Sequence, residues 1–235
     1  SGKHPTGNVG TQIAHIDPIN KGEVVWYLRP QEVMHIGRLF LTGKVDGTQI
    51  IALTGSEVKN PRYFKTKVGC SANCLLQDNL ASDNVRVISG NPLTGDKIEK
   101  YGFTGFYDSQ LTVIPEGDHY EFLGWALPGF DKFSFSRSFL SWIRPGAKYR
   151  IDTNYNGGER AFVMTGVFEK VFGWDIFPMN LIKAIMIEDI DLMEKLGIYE
   201  VDEEDFALCE FIDTSKTEIQ QIVRKGLNLM MKEMS

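Results

Sequence analysis

The stretch from Gln49 to Gly95 constrains this chain more than any other, because its apolar pattern changes period repeatedly within about fifty residues. Ile50–Leu53 is a short apolar run that stops at Gly55. Tyr63–Val68 alternates in period two around Phe64, Thr66 and Val68, and Asn60-Pro61 supplies the turn before it. Ser71 is placed to cap a helix through Leu80 that carries Leu75, Leu76 and Leu80 on one side. Val85–Ile88 returns as a strand, and Gly90, Pro92 and Gly95 end it. Two strands, a helix and a further strand predict a β-grasp-like module in an α+β chain.

The flanks read differently. The N-terminal HPTGNVG is a Gly-rich turn before the alternating Thr11–Ile16, a connector by its plain reading and a phosphate or flavin contact by its sharper one. Val24–Leu28 is strand-like. Pro30 then opens a helix with Val33, Ile36 and Phe40 on one face and Gly43 at its end. Leu111–Ile114, a Pro-Glu-Gly-Asp turn and Tyr120–Trp125 predict a β-hairpin. Seven aromatics, Phe122, Trp125, Phe130, Phe133, Phe135, Phe139 and Trp142, then fall between residues 122 and 143. Such density fits a core with a partial interface, or rings that stack on a quinone or flavin.

From Phe172 onward the periodicity is helical. Pro178 starts a helix with Leu181, Ile182, Ile185 and Met186 inward, a second ends at Gly197, and Asp202 caps a third. The acids Asp202, Glu203, Glu204 and Asp205 suit a solvated helix start, with a bound cation as the sharper alternative. Ser215 and Glu218 form a capping-box pattern for a last helix, in which Gly226 implies a close neighbour or a frayed end.

Composition narrows the function classes. A net charge of −6 disfavours a nucleic-acid partner. Three cysteines imply no disulfide framework and suit a reducing compartment. Cys70 and Cys74 have three residues between them and Cys209 is alone, which is too few for an iron–sulfur cluster. His4, His15, His35 and His119 are scattered, and no nucleophile elbow, P-loop or dinucleotide fingerprint occurs. The residues themselves therefore nominate no catalytic, cofactor-binding or metal site. The remaining candidates for interface or ligand contact are Trp125, Phe130, Phe133, Phe135, Trp142 and Arg62.

The central stretch resembles the soluble-ligand-binding β-grasp (SLBB) pattern through Gly55, Val58, Pro61, Tyr63, Gly69, Leu75, Val87, Gly90, Pro92 and Gly95. Arg62 and Asn91 stand where that pattern has glycines. Across the whole chain HPTGNVGTQI, SEVKNPR, VRVISGNPLTG, EFLGW, PGFDKFS, NGGERAFV and DEEDFALCEF resemble the A subunits of the Na⁺-translocating NADH:quinone oxidoreductase (Na⁺-NQR) family. The resemblance implies the C-terminal half of a longer protein. On that reading, residues 1–46 end an α/β domain and 47–100 form the β-grasp module. Residues 101–155 are a β-rich aromatic connector, and 156–235 a helical, degenerate ferredoxin-like domain.

The related C subunit of Rnf-type complexes carries cluster cysteines where this chain has residues 159–166 and 203–212. Phe162, Met164, Phe206 and Phe211 are therefore expected to fill the vacated volume. The resemblance further implies a peripheral subunit on the cytoplasmic side of the bacterial inner membrane, touching the membrane only indirectly. Its parent complex would use NADH, flavins, an iron–sulfur centre and ubiquinone, none of them bound by this chain. Its partners would be the other subunits, above all the membrane quinone-binding one, with docking and assembly as its role and quinone or small-ligand binding as the alternative.

Overall fold

A computed structural model describes residues 4–124, 126–144 and 146–234. In chain order the elements are α1 (Val9–Ile16), α2 (Pro30–Thr42), β1 (Thr48–Thr54), β2 (Arg62–Lys67), α3 (Ala72–Leu76), β3 (Val85–Ser89), β4 (Asp96–Ile98) and β5 (Gln110–Pro115). Helices α4 (Pro178–Met186), α5 (Ile190–Lys195), α6 (Ala207–Ile212) and α7 (Ile219–Met234) follow, with short 3₁₀ turns at Leu140–Ile143, Phe168–Lys170, Ile198–Glu200 and Glu203–Phe206. Two compact units result, one from residues 28–156 and one from residues 1–27 with 157–235.

The first unit is built on a five-stranded sheet of order β2-β1-β5-β3-β4. β1 and β2 pair antiparallel, with Ile51 opposite Phe64, and β3 pairs antiparallel with β4. β5 lies between these hairpins, parallel to β1 (Leu53 opposite Leu111) and antiparallel to β3 (Val87 opposite Val113). Period-two alternation sends Gln49, Ile51 and Leu53 inward and leaves Ile50 exposed. Ile51, Leu53, Val58, Leu75, Leu76, Val87, Leu111 and Val113 make the core.

Gly55 ends β1 at φ +115, and a Cβ there would lie 2.0 Å from Val113 O, so the position excludes every other residue. The sheet thus takes its central strand from beyond residue 100. The expected hairpin between Leu111–Ile114 and Tyr120–Trp125 is replaced: β5 spends its edges on β1 and β3, and Tyr120–Gly124 is turn and loop. The predicted helix from Ser71 is shorter, ending at Leu76 because Gln77 leaves the helical region.

Helix α2 follows its sequence signals, with Pro30 in the first turn and Gly43 in the left-handed conformation. Its residues are all at least partly exposed. Gln31 accepts from Ile50 N (2.9 Å) and donates to Ile50 O (3.3 Å), while His35 donates to Thr48 O (2.8 Å). These side chains serve the first residues of β1, which lie short of its pairing with β5 at Ala52–Thr54. Val24–Leu28, strand-like by its residues, is exposed coil, because β-type residues need a strand partner and none of the described residues provides one.

The second unit is helical. The alternating Thr11–Ile16 is helix α1 rather than a strand, with Thr11 buried and Ala14, three residues on, packed on the core. Thr11 Oγ1 donates to Pro5 O (3.0 Å), tying the helix to the preceding turn. A six-residue alternation does not separate the two periods, and tertiary packing decides. The core joins Leu181, Ile182 and Ile185 of α4 to Met193, Phe206, Cys209, Ile219 and Val223. Met186, expected inward, is exposed at the end of α4.

Gly226 has the close neighbour that its sequence context implied: a Cβ would sit 2.9 Å from Ile185 Cγ1. Ser215 does not cap α7 through its side chain. Its hydroxyl donates to Ala161 O (3.0 Å), while Glu210 Oε2 accepts from Gln220 N (2.8 Å) in the first turn. Phe206 is fully buried and Phe162 packs at the core's rim, but Met164 and Phe211 are exposed. Phe211 lies two residues from buried Cys209 on α6, a rotation that turns it to the outer face.

Candidate functional surface

After β5 the described residues run as loop and turn to residue 156, except for the 3₁₀ turn at Leu140–Ile143. It is held at both ends by carboxylates of the sheet unit. Glu57, 2% exposed, accepts from Arg150 Nε (2.7 Å) and Nη2 (2.9 Å), and Ser82 Oγ donates to it (2.9 Å). The Arg150 hydrogen bond holds the Glu57 carboxyl below the usual carboxylate range. Glu116 accepts from Arg86 Nε (3.2 Å) and from Thr153 Oγ1 (2.9 Å), and Lys97 lies 3.4 Å away. The Arg86 hydrogen bond brings its carboxyl down to about 2.

Between these anchors the aromatic side chains do not form the expected core. Phe122 is 90% exposed, Trp142 54% and Phe130 50%, with Phe133 and Phe135 close behind. Phe133, Phe135, Trp142 and Tyr149 line one open cavity of about 320 Å³, together with Arg137 and Arg144. Phe133 meets Tyr149 edge to face at 5.7 Å between ring centres. Phe139 is half-buried against Gly129, and buried Ser141 donates to Lys132 O (2.6 Å), which fixes the floor of the loop.

The sequence candidates therefore divide. Phe133, Phe135 and Trp142 converge, Phe130 does not line the cavity, and Trp125 lies outside the described residues. Arg62 stands on edge strand β2 with its guanidinium 4.6 Å over the Phe64 ring, and it is not a lining residue. Sequence reasoning missed Tyr149, Arg137 and Arg144, and missed Glu57 and Arg150 as the anchor. The signal for the first group was there: five basic residues and one acidic residue fall between Asp131 and Arg150.

The family models described as "NqrA second alpha/beta domain" and "NQRA C-terminal domain" match residues 1–45 and 50–100. Curated proteins named as the A subunit of Na(+)-translocating NADH-quinone reductase are similar over nearly the whole chain. That of Rhodopirellula baltica is 41% identical over 235 residues, covering 99% of this chain and 52% of the relative. Those of Hahella chejuensis and Vibrio anguillarum are 39% and 40% identical over 233 residues each, with the same coverage. The chain is similar to these NqrA proteins along nearly its whole length. It spans about half the length of the curated relatives it matches.

The cysteines of this chain do not fit a cluster. Cys209 is buried among apolar residues of the helical unit, and burial pushes its thiol up to about 12, away from the thiolate a metal needs. Cys70 and Cys74 belong to the other unit. Among the described residues no group of three or more His, Cys, Asp or Glu is placed to hold a metal.

The acidic run at residues 202–205 is a cap rather than a uniformly solvated face. Asp205 is buried and accepts from Asp202 N (2.9 Å), Asp202 Oδ1 accepts from Glu203 N (2.8 Å), and Arg224 donates to Glu203 Oε1 (2.8 Å). Burial pushes the Asp205 carboxyl up to about 6.

Proposed function

We propose that this chain serves a Na⁺-exporting NADH:ubiquinone reductase of the bacterial inner membrane as a peripheral docking and assembly element on the cytoplasmic side. The observation that carries this reading is the exposed aromatic segment, Phe122 to Trp142, pinned by buried Glu57 and by Glu116. A fixed loop with uncovered rings is what contact between subunits needs. The parent complex uses NADH, flavins, an iron–sulfur centre and ubiquinone. This chain holds none of them, has the membrane quinone-binding subunit for its main partner, and binds no nucleic acid. No helix among the described residues is long and apolar enough to cross a membrane, in keeping with a peripheral role.

We read residues 47–100 as a β-grasp module completed by strand β5 from 101–155, a reading supported by the mixed sheet order β2-β1-β5-β3-β4. Residues 156–235 are read as a ferredoxin-like scaffold without ligands, supported by buried Phe206 beside the single Cys209, and 1–46 as the end of an α/β domain. The test is co-purification of the chain with the other subunits, comparing wild type with Phe122→Ser/Phe130→Ser; loss of co-purification is expected in the double variant.

A second reading, binding of a quinone headgroup, is favoured by the cavity of Phe133, Phe135, Trp142 and Tyr149. A quinone-analogue titration followed by Trp fluorescence decides it, saturable quenching supporting the reading and unchanged emission retiring it.

A further inference from the structure

We propose that the loop from Phe130 to Arg150 is itself a contact site for an anionic phospholipid surface, a reading that rests on the chain's proposed place at a membrane complex. Two properties coincide in this loop. Phe130, Phe133, Phe135, Leu140, Trp142 and Ile143 are each at least 40% exposed. Lys132, Arg137, Arg144, Lys148 and Arg150 oppose the single acid Asp131, a net +4 in a chain of net −6, so the remainder carries −10 (−6 minus +4). Lys132, Arg144 and Arg150 have carboxylate partners, whereas Arg137 and Lys148 form no ion pair among the described residues.

The placement matters as much as the count. Arg137 and Arg144 line the same cavity as Phe133, Phe135 and Trp142, so cations and rings share one opening. Ser134, Ser136 and Ser138 are linked hydroxyl to hydroxyl at 3.1 and 2.6 Å, a polar ladder between the rings. Indole and phenyl groups settle at the headgroup level of a bilayer, and guanidinium groups take phosphate oxygens in pairs. A strongly negative remainder gives the molecule no general attraction to an anionic bilayer, so attachment must come through this patch and in one orientation. Where the cations sit, at residues 137–150, lipid is favoured over a protein partner, because the described residues there have no strand edge and no helix beyond one 3₁₀ turn; the rings of Phe122 and Phe130 remain the proposed subunit contact.

The test is co-sedimentation of the 235-residue chain with vesicles of phosphatidylcholine alone or of phosphatidylcholine with phosphatidylglycerol. Partitioning into the anionic vesicles should exceed that into neutral ones by at least about tenfold and fall as salt rises. Arg137→Gln/Arg144→Gln should lower it about tenfold with an unchanged circular dichroism spectrum. Trp142→Phe should keep binding but remove a blue shift of Trp emission. Equal partitioning into both vesicle types, no partitioning, or an unchanged double variant would overturn the proposal. Tighter retention on polyglutamate than on anionic vesicles would overturn it too, assigning the loop to an acidic protein. Vesicle binding uses no other subunit, and it is read on Arg137 and Arg144, which the docking test leaves unchanged, so its failure would leave the docking reading standing.

Discussion

Single residues set the tightest requirements in this chain. Arg150→Met removes both guanidinium donors from the buried Glu57 carboxylate and leaves it only hydroxyl donors. The stranded charge should cost about 2 kcal/mol in chemical denaturation, below the range for fully buried pairs because the Arg150 side chain is mostly exposed. Gly226→Ala should destabilise by about 1–2 kcal/mol, although the same change in an open helix would stabilise by about 1 kcal/mol. Ile185→Val should recover part of the loss by shortening the side chain the new Cβ meets. Protonation divides by sign. Glu57 and Glu116 are acids with lowered folded-state values, so their stabilisation is full above about 4.5 and is lost on acidification, for Glu116 as pH falls toward about 2. Asp205 is the reverse case: its folded-state value near 6 lies above the ordinary 3.8, so the folded chain holds the proton more tightly. Its contribution is full below about 4, declines between about 4 and 6, and is gone at neutral pH. Urea titrations should therefore show greatest stability near pH 5, and Asp205→Asn should flatten the fall between pH 5 and 7.

At the scale of elements, strands with strong local signals were legible and their partners were not. Ile50–Leu53, Tyr63–Val68 and Val85–Ile88 became β1, β2 and β3, and Pro30, Gly43, Pro178 and Gly197 marked helix ends where the structure has them. Leu111–Ile114 also reads as a strand, but pairing is a long-range choice. A Pro-Glu-Gly-Asp turn suggests a local hairpin, whereas β5 gains more by entering the gap between β1 and β3. A polypeptide of residues 28–100 should therefore fail to fold, while 28–156 should unfold cooperatively in circular dichroism. Leu111→Ala, at a fully buried position, should cost the longer piece about 3 kcal/mol. The candidate surface was legible as a density of rings, but its exposure was not: aromatic content alone does not say whether a core surrounds it. Glu57, two residues past Gly55, gave no sequence signal, since its partner lies 93 residues away.

At the scale of the molecule, similarity to the NqrA proteins and the poor fit of Cys209 to a cluster are the grounds for proposing a subunit that contributes contacts rather than redox groups. The purified chain should accordingly show no visible absorption band. A flavin or iron–sulfur band that persisted through gel filtration would contradict that expectation. Docking through the exposed aromatic segment is the function proposed for this chain, and co-purification with the remaining subunits, with and without Phe122→Ser/Phe130→Ser, is its sharpest test. Wild type should bring the membrane quinone-binding subunit with it, and the variant, equally folded, should not. Equal recovery of that subunit with both chains would refute docking through these rings.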